Sequence, residues 1–237
     1  MRRSWIVAVV AAVIAVFITG AYVGAASAQS AVTPLAVDCT NSQLAPHTGF
    51  QDGPACSDTA IGEVPDEQNG ASLLITRFPE KVRSGEDIVL QVSTRNILRD
   101  RFLAAGQGGY YAESSLLTGD GIVRGHFHAG CRVLDAGENA PTPQRSPVFK
   151  AVEDGKGSKV PDTVTVTFAG QDAGGQPIFT NGQNLQCAAW TGDGSHRTPT
   201  MKFANQIPGF DSVRVQVRGE GGNGAREVRD EREGKQE

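Results

Sequence analysis

The sequence is poor in the residues that announce most chemistries. Only 6% of its 237 residues are aromatic, and it holds two methionines, four histidines and four cysteines. No G-x-S-x-G occurs, which excludes the exposed serine turn of the α/β-hydrolases. "GDGSH" sets Ser195 directly beside His196, and neighbours in sequence do not align as nucleophile and base. No glycine loop opens a helix to cradle phosphate, and calcium-loop spacing is missing. Basic residues are also short: of the 22, Arg2 and Arg3 belong to the leader described next, which leaves 20 against 26 acidic residues and a net charge of −6. Nucleic-acid binding, driven by basic side chains that displace phosphate counterions, is thereby disfavoured.

What is present begins with an export leader over residues 1–28. Arg2 and Arg3 supply a positive start, Trp5 to Ile18 is unbroken apolar sequence, and Ala26-Ser27-Ala28 reads as a cleavage site. The alternative is an uncleaved membrane anchor, because apolar character runs on to Val23, close to the roughly 20 residues a span requires. Either way the expected location is secreted or cell-surface. Cys39, Cys56, Cys131 and Cys187 follow the leader, an even count that predicts two disulfides in an oxidising compartment. Three connectivities exist, and proximity favours Cys39–Cys56 with Cys131–Cys187.

Residues 29–70 lack any sustained apolar period and are rich in Pro, Gly, Asp and Ser, so they read as an irregular arm stapled by Cys39–Cys56. From 71 to 218 the signal is strands. Leu73 to Phe78 opens the series; Ile88, Leu90 and Val92 alternate with more polar neighbours; Thr163–Phe168 and Ser212–Arg218 each carry one apolar and one polar face. Faces of that kind belong to antiparallel sheets wet on one side. No segment has a sustained helical period, although Ile97 to Ala105 would accommodate a short helical turn. The predicted fold is an all-β antiparallel sandwich, immunoglobulin-like or jelly-roll-like, followed by a disordered charged tail over 219–237.

"GHFHAGC" at 125–131 carries the sharpest functional signal. Residues two apart on a strand share a face and lie about 6.6 Å apart, so His126 and His128 can close on one ion. If Cys131 and Cys187 pair across antiparallel strands, His128 falls opposite Trp190 and His126 opposite Gly192, with His196 just beyond. A core-facing disulfide then turns both histidines to the other face, unless a bulge at Gly130 spoils the parity. "TGDG" recurs at 118–121 and 191–194, each time shortly before a histidine, and reads as two similar turns. Three histidines and an open position match a common catalytic metal site, with Glu113, Asp120 and Asp193 as nearby carboxylates.

Several families bear comparison with these residues. "FPEKVRSGEDIVLQVSTRN" resembles the entry of an immunoglobulin-like or fibronectin-like domain. Cupins follow H-x-H with a glutamate after three or four further residues, where this chain has Arg132 and Val133. Intradiol dioxygenases add two tyrosine ligands to H-x-H; "YYAESSLLTGDGIVRGHFH" is similar, but Tyr110 and Tyr111 are adjacent and point to opposite faces of a strand. The block from "RDRFLAAGQGGYYAESS" through "CAAWTGDGSHR" to "ANQIPGFDSVRVQV" resembles an uncharacterised family of exported proteins loosely labelled pecanex-like, over roughly residues 72–218. That resemblance implies one compact domain and no established activity.

Three functional readings follow. The first is an exported binding or structural module whose working surface includes Tyr110, Tyr111, Arg124, Trp190 and Asp193, with a cell-wall or extracellular polysaccharide or a protein as partner. The second is a metal site, catalytic or not, in which His126, His128 and His196 hold zinc, copper or iron. It requires the three ring nitrogens to converge within about 4 Å of a common point. The third is a pH-sensitive hydrogen-bond cluster of the same histidines.

Overall fold

Each segment with alternating apolar residues forms a strand. The computed structural model describes residues 39–134 and 140–219 and the backbone of 224–227; the leader and the anchor alternative lie outside these residues. The strands are β1 (Ser72–Arg83), β2 (Ile88–Arg95), β3 (Ile97–Leu98), β4 (Leu116–Leu117), β5 (Val123–Leu134), β6 (Val148–Val152), β7 (Asp162–Phe168), β8 (Asn184–Asp193), β9 (Phe210–Arg218) and β10 (Gly224–Glu227). Glu67–Asn69 and Ala105–Gln107 are single 3-10 turns. Among the described residues there is no α-helix, and no helix is long and apolar enough to cross a membrane.

The chain is all-β, but the sheet differs from the expected antiparallel sandwich in two ways. The strands form one hydrogen-bonded path, β3-β5-β8-β9-β1-β2-β7, with β4 and β6 also on β5 and β10 on β1. β6 also lies against β7 at the far end of the path, so the sheet curls into a half-barrel. The pairing is mixed, because β9 runs parallel to β1 and β3 parallel to β5. Alternation reports which face is buried and carries no information about the direction of the neighbouring strand. β1 accommodates the curl through register shifts at Ile75/Arg77 and Pro79/Lys81, and proline in a strand belongs at such irregular positions.

Inside the curl lie Leu73 and Ile75 of β1, Leu90 and Val92 of β2, Phe127, Ala129 and Cys131 of β5, Leu185 and Cys187 of β8, and Val215 of β9. Burying a side chain such as Phe127 or Leu185 fully contributes about 1.5–3 kcal/mol. The disulfides are Cys39–Cys56 and Cys131–Cys187, the pairing that proximity favours. The second is fully buried in the core.

Ile97 to Ala105 is the short strand β3 followed by extended chain, with the 3-10 turn only at its end. That chain is anchored by Arg99, whose fully buried guanidinium is paired with Asp154 (2.9 Å) and Asp162 (2.6 Å) and donates to Thr94 Oγ1 (2.6 Å). Two carboxylates and a hydroxyl satisfy the buried cation, so the entry of the following segment is fixed. The arm packs on the segment after it: Tyr110 N–H donates to the Gly49 carbonyl, Ser115 N–H to Ile61 and Glu63 N–H to Ser115. Gly224–Glu227, inside the stretch read as a disordered tail, pairs with β1 as β10.

Candidate metal centre

β5 is buried on both faces. Phe127, Ala129 and Cys131 enter the core, while His126 and His128 lie on the other face and are also buried, at 0% and 5% exposure. No register shift occurs at Gly130, so the parity expected from the disulfide holds: His126 pairs with Gly192 and His128 with Trp190 on β8. Glycine at 192 leaves a gap that the rings use. A Cβ placed there would stand 3.1 Å from His126 Nε2 and 3.3 Å from its Cε1.

His196 comes from the turn that leaves β8, in the left-handed region at φ 66°. A non-glycine residue there is strained by about 1–3 kcal/mol and persists only when its surroundings impose it. Asp193 does so. Its carbonyl accepts from His196 N–H, its Oδ1 from the backbone N–H of Ser195 and Arg197, and its Oδ2 from Arg197 Nε. The two TGDG segments are therefore unlike: 118–121 is a turn closed by Gly121 N–H to the Thr118 carbonyl, whereas Thr191–Asp193 is the end of β8.

The segment 99–113 roofs the three rings. Phe102 meets His126 and His196 edge-on, each at 4.9 Å, and Tyr110 stacks on His196 at 4.4 Å. The roof is tied down by Arg101 N–H to Gly125, by Leu103 N–H to Gly194, and by Ser195 Oγ, which donates to the Glu113 carbonyl and accepts from Glu113 N–H. Ser195 is thus a structural tie, not a nucleophile. The roof also supplies two carbonyl acceptors, Arg101 to His126 Nδ1 (2.9 Å) and Leu103 to His196 Nε2.

Those carbonyls decide the protonation of the cluster. A carbonyl only accepts, so His126 carries its proton on Nδ1 and His196 on Nε2, leaving His126 Nε2 and His196 Nδ1 as bare lone pairs 3.2 Å apart. His128 Nε2 is 2.9 Å from the same His126 Nε2. The four contacts need four protons, and three neutral imidazoles carry three. One positive charge is missing from the neutral cluster, to be supplied by a fourth proton or by a metal ion. Burial opposes the proton: desolvation, with smaller contributions from the other rings, holds His126 down to about 4 and His128 to about 3. His128 Nδ1 is buried without a hydrogen-bond partner. One nitrogen from each ring lies within 4.8 Å of the others. A tetrahedral ion with bonds of about 2.0–2.1 Å spaces its nitrogens by about 3.3 Å, comparable to the two short contacts.

The carboxylates named from the sequence do different work. Glu113 is engaged by the Arg101 guanidinium, Asp193 is buried in the turn and paired with Arg197, and Asp120 is exposed at the 118–121 turn. Of the surface residues proposed with them, Tyr110 and Trp190 line one cleft with His128 and His196. Arg124 is paired with Asp100, and Tyr111 packs edge-on against His47. Phe102, the carbonyls of Arg101 and Leu103, and the gap at Gly192 had no signal in the sequence beyond the glycine itself. The cleft measures about 490 Å³ and reaches His128 and His196 from outside. In comparisons with known proteins, no family model, curated protein or solved structure matches the chain.

Proposed function

We propose that this chain is a metal-binding protein whose centre is His126, His128 and His196, holding one zinc, copper or iron ion. The observation that carries the reading is the proton count: the buried imidazoles of His126 and His128 and the half-buried one of His196 converge on contacts that three neutral rings cannot satisfy. A cation among the bare nitrogens supplies the missing charge without protonating a buried ring, and imidazole suits all three metals. The roof carbonyls fix the ring orientations of His126 and His196 through the second nitrogen, as outer partners of metal-bound histidines do. His128 and His196 line the cleft, so an ion on the three rings would be reached from it, and three protein ligands with one open position is the composition of a catalytic site. When bound, the ion would act as a Lewis acid toward an oxygen ligand in the cleft. The two disulfides support an oxidising, extracytoplasmic location.

The test is metal content of the purified full chain by inductively coupled plasma mass spectrometry, beside a His126→Ala/His128→Ala variant and a His196→Gln variant whose folding is checked by circular dichroism. The proposal requires near-stoichiometric metal in the parent, its loss from the folded double variant, and weakened but detectable binding in folded His196→Gln. A parent that stays empty after incubation with zinc, copper and iron overturns it.

A further inference from the structure

The cleft outside the histidines has walls of a distinctive chemistry. Phe102, Tyr110, Phe149 and Trp190 line it, together with Arg145. Phe149 is 52% exposed and stands 6.2 Å from Trp190, ring centre to ring centre, with both rings packed around His128. An exposed phenylalanine beside a tryptophan at the mouth of a cleft offers apolar faces for a planar guest. The volume of about 490 Å³ falls in the range of small-ligand pockets.

The charge of the cleft is one-sided. No carboxylate lines it among the described residues. Glu113 and Asp193 are already engaged by Arg101 and Arg197. Arg145 has no ion-pair or hydrogen-bond partner among the described residues, although a guanidinium is built to grip a carboxylate through two parallel bonds. Three neutral imidazoles leave the full charge of a bound ion uncompensated, so its open position also favours an anionic oxygen.

We infer that this cleft binds a planar aromatic carboxylate, its ring packed against the cleft-facing surfaces of Phe149, Trp190 and Tyr110 and its negative charge shared by Arg145 and the ion on the three histidines. The inference rests on the metal reading. It adds the class of molecule that meets the ion, which the histidines alone do not define.

The test uses the zinc-loaded full chain, with metal content measured on the same sample, and isothermal titration with benzoate, benzamide and glucuronate. Benzoate is expected to bind at least about tenfold more tightly than neutral benzamide or non-planar glucuronate. Arg145→Gln lowers benzoate affinity about tenfold and leaves benzamide and zinc content unchanged. Phe149→Ala, at an exposed position, weakens benzoate and benzamide alike when compared at equal zinc occupancy. A zinc-loaded protein that binds benzoate no better than benzamide, or equally well as Arg145→Gln, overturns the inference while the metal reading stands. Preference for glucuronate overturns it in favour of a saccharide acid. A protein that takes up none of zinc, copper and iron fails in the metal assay before any titration, and removes both.

Discussion

Gly192→Ala tests the geometry of the centre with a single methyl group. The new Cβ would lie 3.1 Å from His126 Nε2, 3.3 Å from its Cε1 and 3.6 Å from His128 Cε1. Ordinary carbon contacts begin near 3.5 Å, so the His126 ring must shift by a few tenths of an ångström, away from the point where its lone pair meets the ion. Gly192 does not have a positive φ, so alanine brings no backbone strain, and in a strand it gains about 0.5–1 kcal/mol over glycine. Crowding offsets this by about 1–3 kcal/mol, leaving the metal-free fold within about 2.5 kcal/mol of the parent. Metal affinity falls further, by about 10–100-fold, as it does when the shell that orients a ligand is disturbed. Competition against a chromophoric chelator measures the affinity, and urea denaturation the stability. Unchanged affinity in a folded Gly192→Ala protein would refute the reasoning, since the ion would then not lie where the His126 lone pair points.

Three further outcomes are expected. Burial holds His126 and His128 at about 4 and 3 against 6.5 in the unfolded chain, so below pH 6.5 the unfolded state takes up protons that the native state refuses. The metal-free protein should therefore lose stability from pH 6.5 down to about 4, by about 1.4 kcal/mol per pH unit for each histidine; urea midpoints that stay level across that window would contradict the assignment. Asp193→Ala removes the acceptor that shapes the His196 turn and strands Arg197, and should cost about 3–5 kcal/mol along with metal affinity; a thermal scan and a metal assay read both. Removing the disulfide that spans 56 residues should cost about 4 kcal/mol, against about 3 for the one that spans 17, by loop entropy; the reverse order in urea would contradict this.

The strands and the histidine register were legible because both follow from period-two alternation. Once Cys131 and Cys187 face each other on antiparallel strands, the partners of His126 and His128 follow by counting. Strand parity also sends the histidines away from the core, but it does not say that they are buried. That burial comes from the segment 99–113, whose course is set by Arg99 with Asp154 and Asp162, contacts between residues more than fifty positions apart. Ion pairs leave no trace in strand alternation even at short range, so Glu113 and Asp193 read as free carboxylates although Arg101, twelve positions before, and Arg197, four positions after, hold them. The parallel β1–β9 pairing and the curl of the sheet were hidden for a related reason: alternation is the same whichever way the neighbouring strand runs.

Whether three imidazole nitrogens meet on one ion is measured directly by X-ray absorption at the edge of the bound metal. About three nitrogen scatterers are expected near 2.0–2.1 Å, with outer-shell scattering from three imidazole rings that falls to two in His196→Gln. A spectrum without imidazole scattering, or one unchanged in His196→Gln, would contradict that convergence.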